Sequence, residues 1–265
     1  ELDDHVQQHI GRQARPAGGD VGEDQEAPAP PEHVLTACPE AERDAIEALM
    51  NHSGASGQGL GRYRVARAYR TRHPTLFRRY DRAKAALQQA TINRRAAATS
   101  QAMLASGRDF GFFGDLDPTV NEFPLWHGTP SFEKAGGICS SGFDISFVGS
   151  TTDSGWYSPG FYFADDVHIS HDYASGGTRS VNSKYRGLHV MLLCRALCGN
   201  QRRMERLPGE KEKEQLTAAC LGPGGAFGPH SEFHSILGMS SSAYLEYVCL
   251  HRDQVLPEYV ILYTA

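Results

Sequence analysis

The chain has 265 residues, 40% of them hydrophobic, with a net charge of −5, enough for one large domain with a core of normal size. No apolar run approaches the ~20 residues that span a bilayer, and no secretory apolar segment opens the sequence. The six cysteines (38, 139, 194, 198, 220 and 249) form no C-x-x-C pair, which argues for free or buried thiols in a reducing compartment and against a disulfide framework or zinc site.

The mild net charge hides an asymmetry. Residues 1–33 carry eight acids against two bases, whereas residues 60–95 carry eleven bases against the single acid Asp81. Such a basic segment suits a solvated helix face, an acidic partner or nucleic acid. Residues 1–33, rich in acids, Gly and Pro and ending near Ala27-Pro28-Ala29-Pro30-Pro31, have little to bury and read as a flexible linker. The remainder, 34–265, reads as one domain.

A first helix is expected from about Pro39, with Ile46, Leu49 and Met50 on one stripe. The glycines between Asn51 and Gly61 break it. Residues 61–70 alternate basic and apolar, as a half-exposed strand does, and His73-Pro74 stops the run. A second helix starts at Pro74, with Leu76, Phe77, Tyr80 and Leu87 on its apolar face; residues 91–106 extend it or form another. Residues 107–121 read as loop, with turn material at 115–118. Beyond His127 the texture changes to short strands and Gly-rich loops. His189 to Leu197 is nearly all apolar, as a strand buried on both faces is. Residues 200–230 read as charged, then Gly- and Pro-rich and mobile. The chain closes with strands over 246–251 and 258–263, joined by a short connection containing Pro257. Helices early and strands late imply an α+β fold.

Four fragments carry the chemistry: Leu125-Trp126-His127-Gly128-Thr129, Gly160-Phe161-Tyr162-Phe163-Ala164-Asp165, Ser170-His171-Asp172-Tyr173, and Glu246-Tyr247-Val248. Asp165 is placed to cap a short helix over 166–174, on which Ser170 and Tyr173 stand at i and i+3 and so face the same way. Tyr162, Tyr173 and the Ser170 hydroxyl together make a slot for a flat ring bearing an amide. Gly128, without a side chain, lets its N–H and C=O come close to that amide. Glu246 supplies an anion suited to an oxocarbenium-like transition state. Taken singly, each residue has an ordinary structural explanation; one hypothesis covers them all. His171, His189, His230 and His234 show no metal-ligand spacing, and no metal is expected.

In their order and spacing, these fragments resemble the catalytic domain of the poly(ADP-ribose) polymerase family, the diphtheria-toxin-like ADP-ribosyltransferases with a His-Tyr-Glu triad. The resemblance extends through Leu192-Leu193-Cys194-Arg195, Phe233-His234-Ser235-Ile236-Leu237-Gly238 and Gln254-Val255-Leu256-Pro257-Glu258-Tyr259, and more weakly back through Val65 to Tyr80. It implies an ADP-ribosyltransferase fold of split, mostly antiparallel sheets with flanking helices. It implies NAD as co-substrate, a protein acceptor (the chain itself included) and release of nicotinamide, in an intracellular setting, nuclear or cytoplasmic. By the same resemblance His127 would bond the adenosine ribose, Gly128 and Ser170 would hold the carboxamide, Tyr162 and Tyr173 would sandwich the nicotinamide ring, and Glu246 would bond the nicotinamide ribose and stabilise the developing cation. His127, Tyr162 and Glu246 are thus the expected catalytic set. Glu246 permits polymer synthesis without establishing it. A non-catalytic NAD- or partner-binding module and an NAD hydrolase are the alternatives. The chain departs from the family's usual Gly-x-Gly before the tyrosine, having Ser158-Pro159-Gly160 instead.

Overall fold

A computed structural model describes residues 34–51, 63–90, 111–147, 155–175, 187–221, 232–239 and 245–265. The expected linker over 1–33 and the Ala- and Gln-rich stretch 91–106 lie outside the described residues. In chain order the strands are β1 (Val34–Ala37), β2 (Arg64–Arg72), β3 (Glu122–Gly128), β4 (Phe161–Ala164), β5 (His189–Leu197), β6 (Gln201–Met204), β7 (Ser235–Gly238), β8 (Glu246–Cys249) and β9 (Val255–Thr264). The helices are α1 (Glu40–Met50), α2 (Pro74–Gln89), α3 (Phe132–Ser141), α4 (Val167–Ala174) and α5 (Glu210–Leu221). The fold is α+β, as expected. No described helix is long and apolar enough to cross a membrane.

The strands join in the order β1-β2-β9-β5-β3-β4-β8-β7-β6, antiparallel at every step except the parallel pair β6/β7. One junction is much weaker than the rest. β3 meets β4 through the single pair Trp126↔Ala164, whereas β3 meets β5 through seven pairs. The sheet is therefore two halves hinged at one point, which is the physical content of a split sheet. His127 and Gly128 continue β3 past that point, where the halves diverge.

The core centres on β5. Met191, Leu192 and Leu193 have no exposed surface, in keeping with their continuous apolar run. α1 buries Ile46, Leu49 and Met50, each worth about 1.5–3 kcal/mol on burial. It begins one residue later than expected, with Pro39 at its N-cap. α2 buries Leu76, Tyr80, Ala83 and Leu87; Phe77 is 57% exposed, because it stands one residue (~100°) round from Leu76, off the stripe that Ala83 continues at i+7.

Two further expectations are corrected, on the stretch after residue 200 and on Pro257. Residues 200–221 are not a mobile stretch: β6 and α5 occupy much of it, since Glu210 to Leu221 is made of strong helix formers. The last two strands do not pair with each other. β8 lies between β4 and β7, and β9 between β2 and β5. Pro257 is inside β9 and not in the connection; it lies where the β5/β9 register shifts, a site that tolerates a missing N–H. The crossover at 250–254 is tied by buried Gln254. Its Oε1 accepts from the N–H groups of Leu250 and His251 at 3.0 and 2.8 Å, and its Nε2 donates to the carbonyls of Leu197 and His234 at 2.8 and 2.9 Å. β1 was not anticipated; four residues give too little alternation to read.

Four bases of the basic segment are paired with acids of the fold. Arg64 meets Glu47 at 2.9 Å, Arg70 meets Glu42 at 2.7 Å, Arg79 donates to Asp253 at 2.7 Å, and Lys84 meets Glu122 at 2.8 Å. Glu122 has a fully buried side chain. It also accepts from the Tyr80 hydroxyl at 2.6 Å and the Asp117 N–H at 2.7 Å, with Arg195 at 3.3 Å. Burial alone would raise its pKa, but the Lys84 ammonium and the Tyr80 hydroxyl lead the donors that hold it below the ordinary value.

Candidate functional site

Where the sheet halves part lies a cavity of about 430 Å³, within the usual range for small-molecule sites. Every site residue expected from the sequence lines it: His127, Gly128, Tyr162, Ser170, Tyr173 and Glu246. They come from the end of β3, from β4, from α4 and from the start of β8. β4 bonds β8 with Tyr162 opposite Val248 and Ala164 opposite Glu246, so the tyrosine and the carboxylate are held in fixed register on adjacent strands.

α4 is placed by its cap. Asp166, and not Asp165 as expected, is the N-cap: its Oδ1 accepts from the His168 N–H at 2.8 Å. The helix starts one residue later, and Ser170 and Tyr173 still both face the cavity. α4 also lies hard against the end of β3. A Cβ on Gly128 would stand 1.8 Å from the Ser170 carbonyl oxygen and 2.9 Å from the Ala174 nitrogen. Only glycine lets these two backbones come so close.

His127 is wedged between Phe143 and Phe163, with ring centroids 5.0 and 5.3 Å away. Its Nδ1 lies 2.9 Å from the Tyr162 carbonyl oxygen. A carbonyl only accepts, so Nδ1 carries the proton. Burial lowers the imidazole pKa, which favours the neutral ring. In that tautomer Nε2 is left as an acceptor.

Glu246 is 8% exposed and, among the described residues, makes no side-chain hydrogen bond or ion pair. Burial raises its pKa. A carboxylate desolvated without a compensating donor is a reactive acceptor for any hydroxyl or cation that enters the cavity. Tyr162 is also largely buried, which pushes its phenol up to about 12, so the hydroxyl is neutral and keeps the proton it donates to the Ser158 carbonyl at 2.9 Å. Among the described residues there is no group of three or more His, Cys, Asp or Glu side chains able to hold a metal ion.

Through α3 the structure adds wall residues that the sequence did not single out. One face of α3 borders the cavity through Glu133, Lys134, Gly137, Ile138 and Ser141. Two consecutive glycines in the interior of a helix were the available signal, since they cost helix stability and so point to a close approach or a wall. Trp156, 57% exposed, stands at the rim.

A family model, "Poly(ADP-ribose) polymerase catalytic domain", matches residues 40–265. The human protein named "Protein mono-ADP-ribosyltransferase PARP12" is 32% identical over 146 residues, covering 55% of this chain and 17% of the relative. Its mouse counterpart of the same name is 30% identical over 145 residues, with the same coverages. The matched region thus spans only 17% of the length of these relatives.

Proposed function

The chain belongs to the poly(ADP-ribose) polymerase catalytic-domain family of NAD-dependent ADP-ribosyltransferases, and on that footing we propose that its cleft takes NAD and transfers ADP-ribose to a protein acceptor, releasing nicotinamide. The observation that carries the proposal is the convergence of His127, Gly128, Tyr162, Ser170, Tyr173 and Glu246 on one cavity at the parting of the sheet.

In this reading the Gly128 backbone and the Ser170 hydroxyl bond the carboxamide, whose two hydrogen-bonding ends need a donor and an acceptor side by side. Tyr162 and Tyr173 bracket the nicotinamide ring. His127 offers Nε2 to a hydroxyl of the adenosine ribose. Glu246 accepts from the 2′-hydroxyl of the nicotinamide ribose and stabilises the cation that develops at C1″ as the C–N bond breaks. Nicotinamide departs neutral, so its loss needs no strong acid. The acceptor attacks C1″ and gives up its proton. Positioning and electrostatics supply the rate.

The names of the two relatives support addition of a single unit. One observation favours a second reading, elongation: Glu246 is present and its carboxylate is open to the cavity, where it would serve a ribose hydroxyl as acceptor. The chain incubated with labelled NAD distinguishes them on a denaturing gel: a discrete band means one unit, a high smear means polymer. Nicotinamide released without protein label would mean hydrolysis. A protein acceptor is preferred over nucleic acid because Arg64, Arg70, Arg79 and Lys84 already meet acids of the fold. The free cysteines suit a reducing, intracellular compartment.

A further inference from the structure

The hydroxyl of Tyr162 does something that stacking on a ring does not require. It accepts from the N–H groups of Tyr157 and Ser158 at 2.9 and 3.2 Å and donates to the Ser158 carbonyl at 2.9 Å. Its three bonds all go to the backbone of the turn at 155–158. That turn opens on Gly155, whose φ of +75° suits glycine, and a Cβ there would meet the Ser158 carbonyl oxygen at 2.4 Å and the Tyr162 hydroxyl oxygen at 2.6 Å.

From this bracket, neighbouring side chains go opposite ways. Tyr157 is fully buried, in the cluster that holds Met204, Leu216, Ile236 and Val248, and its ring lies where a Cβ on Gly238 would be, 2.2 Å away. Trp156 is 57% exposed at the rim of the cavity. A large indole held in water on a fixed backbone, beside a cavity, is a surface prepared for a flat or apolar partner. The substitution of Ser158 and Pro159 into the usual Gly-x-Gly pattern fits the same picture, because Ser158 is fully buried and its backbone is engaged by the phenol.

We propose that the Tyr162 hydroxyl is a positioning group for the reaction: it anchors the 155–158 turn and so fixes Trp156 as the outer wall against which bound NAD packs. The proposal rests on reading the cavity as the NAD cleft. It gives Tyr162 two separable roles, the ring as a platform and the hydroxyl as an anchor.

Tyr162→Phe separates them, since it keeps the ring and removes the hydroxyl. The chain has two tryptophans, and Trp126 is 1% exposed, so acrylamide quenching reports on Trp156, with Trp156→Phe identifying the signal. In ligand-free Tyr162→Phe, quenching of Trp156 should rise by about half or more. KM for NAD should rise about tenfold, with kcat changed less than about threefold, the scale expected for losing an anchoring set of buried hydrogen bonds. Gly155→Ala displaces the same turn from the other side and should move both readouts in the same direction; circular dichroism checks that each variant is folded. Unchanged quenching in a folded Tyr162→Phe overturns the anchor. Altered quenching with unchanged KM, or loss of kcat alone, overturns the positioning role. Absence of NAD turnover and binding in the unaltered chain would bring down the NAD reading, while the quenching comparison, made without NAD, still decides whether the hydroxyl holds the turn.

Discussion

Gly128→Ala tests the close approach on which the site depends. The added Cβ would lie 1.8 Å from the Ser170 carbonyl oxygen, 2.8 Å from its carbon and 2.9 Å from the Ala174 nitrogen. All three atoms are backbone, so no side chain can swing aside. To reach even 3.0 Å, β3 and α4 must separate by about 1.2 Å. Overpacking of this kind costs about 1–3 kcal/mol, which for a domain of this size lowers Tm by roughly 2–12 °C. The functional loss should be larger. In the proposed reading Gly128 and Ser170 together hold one carboxamide, and a misplacement of ~1 Å costs on the order of 100-fold in rate. The assay is kcat/KM for NAD, with inhibition by nicotinamide and a thermal melt alongside. The expected result is a folded protein, a fall of about 100-fold or more in kcat/KM, and an inhibition constant for nicotinamide raised at least tenfold. Unaltered kcat/KM and nicotinamide inhibition would refute the reasoning that these backbones must touch.

Three further outcomes are expected. The acid limb of the pH profile of kcat/KM should report Glu246, lying above the ordinary glutamate value because burial raises its pKa, with activity lost as pH falls and the carboxylate protonates; a limb at or below the ordinary value would contradict its desolvated setting. His127, whose pKa burial lowers, should add no limb at the ordinary histidine value, and nitrogen NMR shifts should show it neutral with the proton on Nδ1. Glu122→Gln should destabilise the fold by on the order of 2–3 kcal/mol, because Lys84 loses the nearer of its two carboxylates and Arg195 keeps only Glu258. Its folded pKa is below its unfolded one, so this stability is present above the unfolded value and is lost as pH falls through the folded value. Urea titrations of both proteins at neutral and acid pH should therefore converge at the acid end.

The site was more legible in the sequence than the sheet was. His127, Tyr162, Ser170, Tyr173 and Glu246 sit in short fragments whose internal spacing sets which way each side chain points. The i, i+3 relation of Ser170 and Tyr173 survives a one-residue shift of the cap from Asp165 to Asp166. The pairing of β8 and β9 was not legible, because nearness along the chain suggests a hairpin and only Gln254, bonding both sides of the crossover, shows that the strands part. α5 was hidden by its charge and by the Gly- and Pro-rich residues that follow it. Phe77 was misplaced because it stands one residue round from the Leu76 stripe, and spacing alone does not say which edge of a stripe the core covers. The α3 wall and the anchoring of Trp156 depend on the meeting of distant segments, which local spacing does not encode.

The central claim is tested most directly by Glu246→Gln, which keeps the shape of the side chain and removes the charge. The unaltered chain and the variant are incubated with labelled NAD, and nicotinamide release, protein label and NAD binding are measured together. The account predicts nicotinamide release and protein label from the unaltered chain, and a fall of about 100-fold or more in turnover for the variant, with NAD affinity within a few-fold. Equal turnover by both proteins, or parallel loss of binding and turnover in the variant, would contradict the role given to this carboxylate.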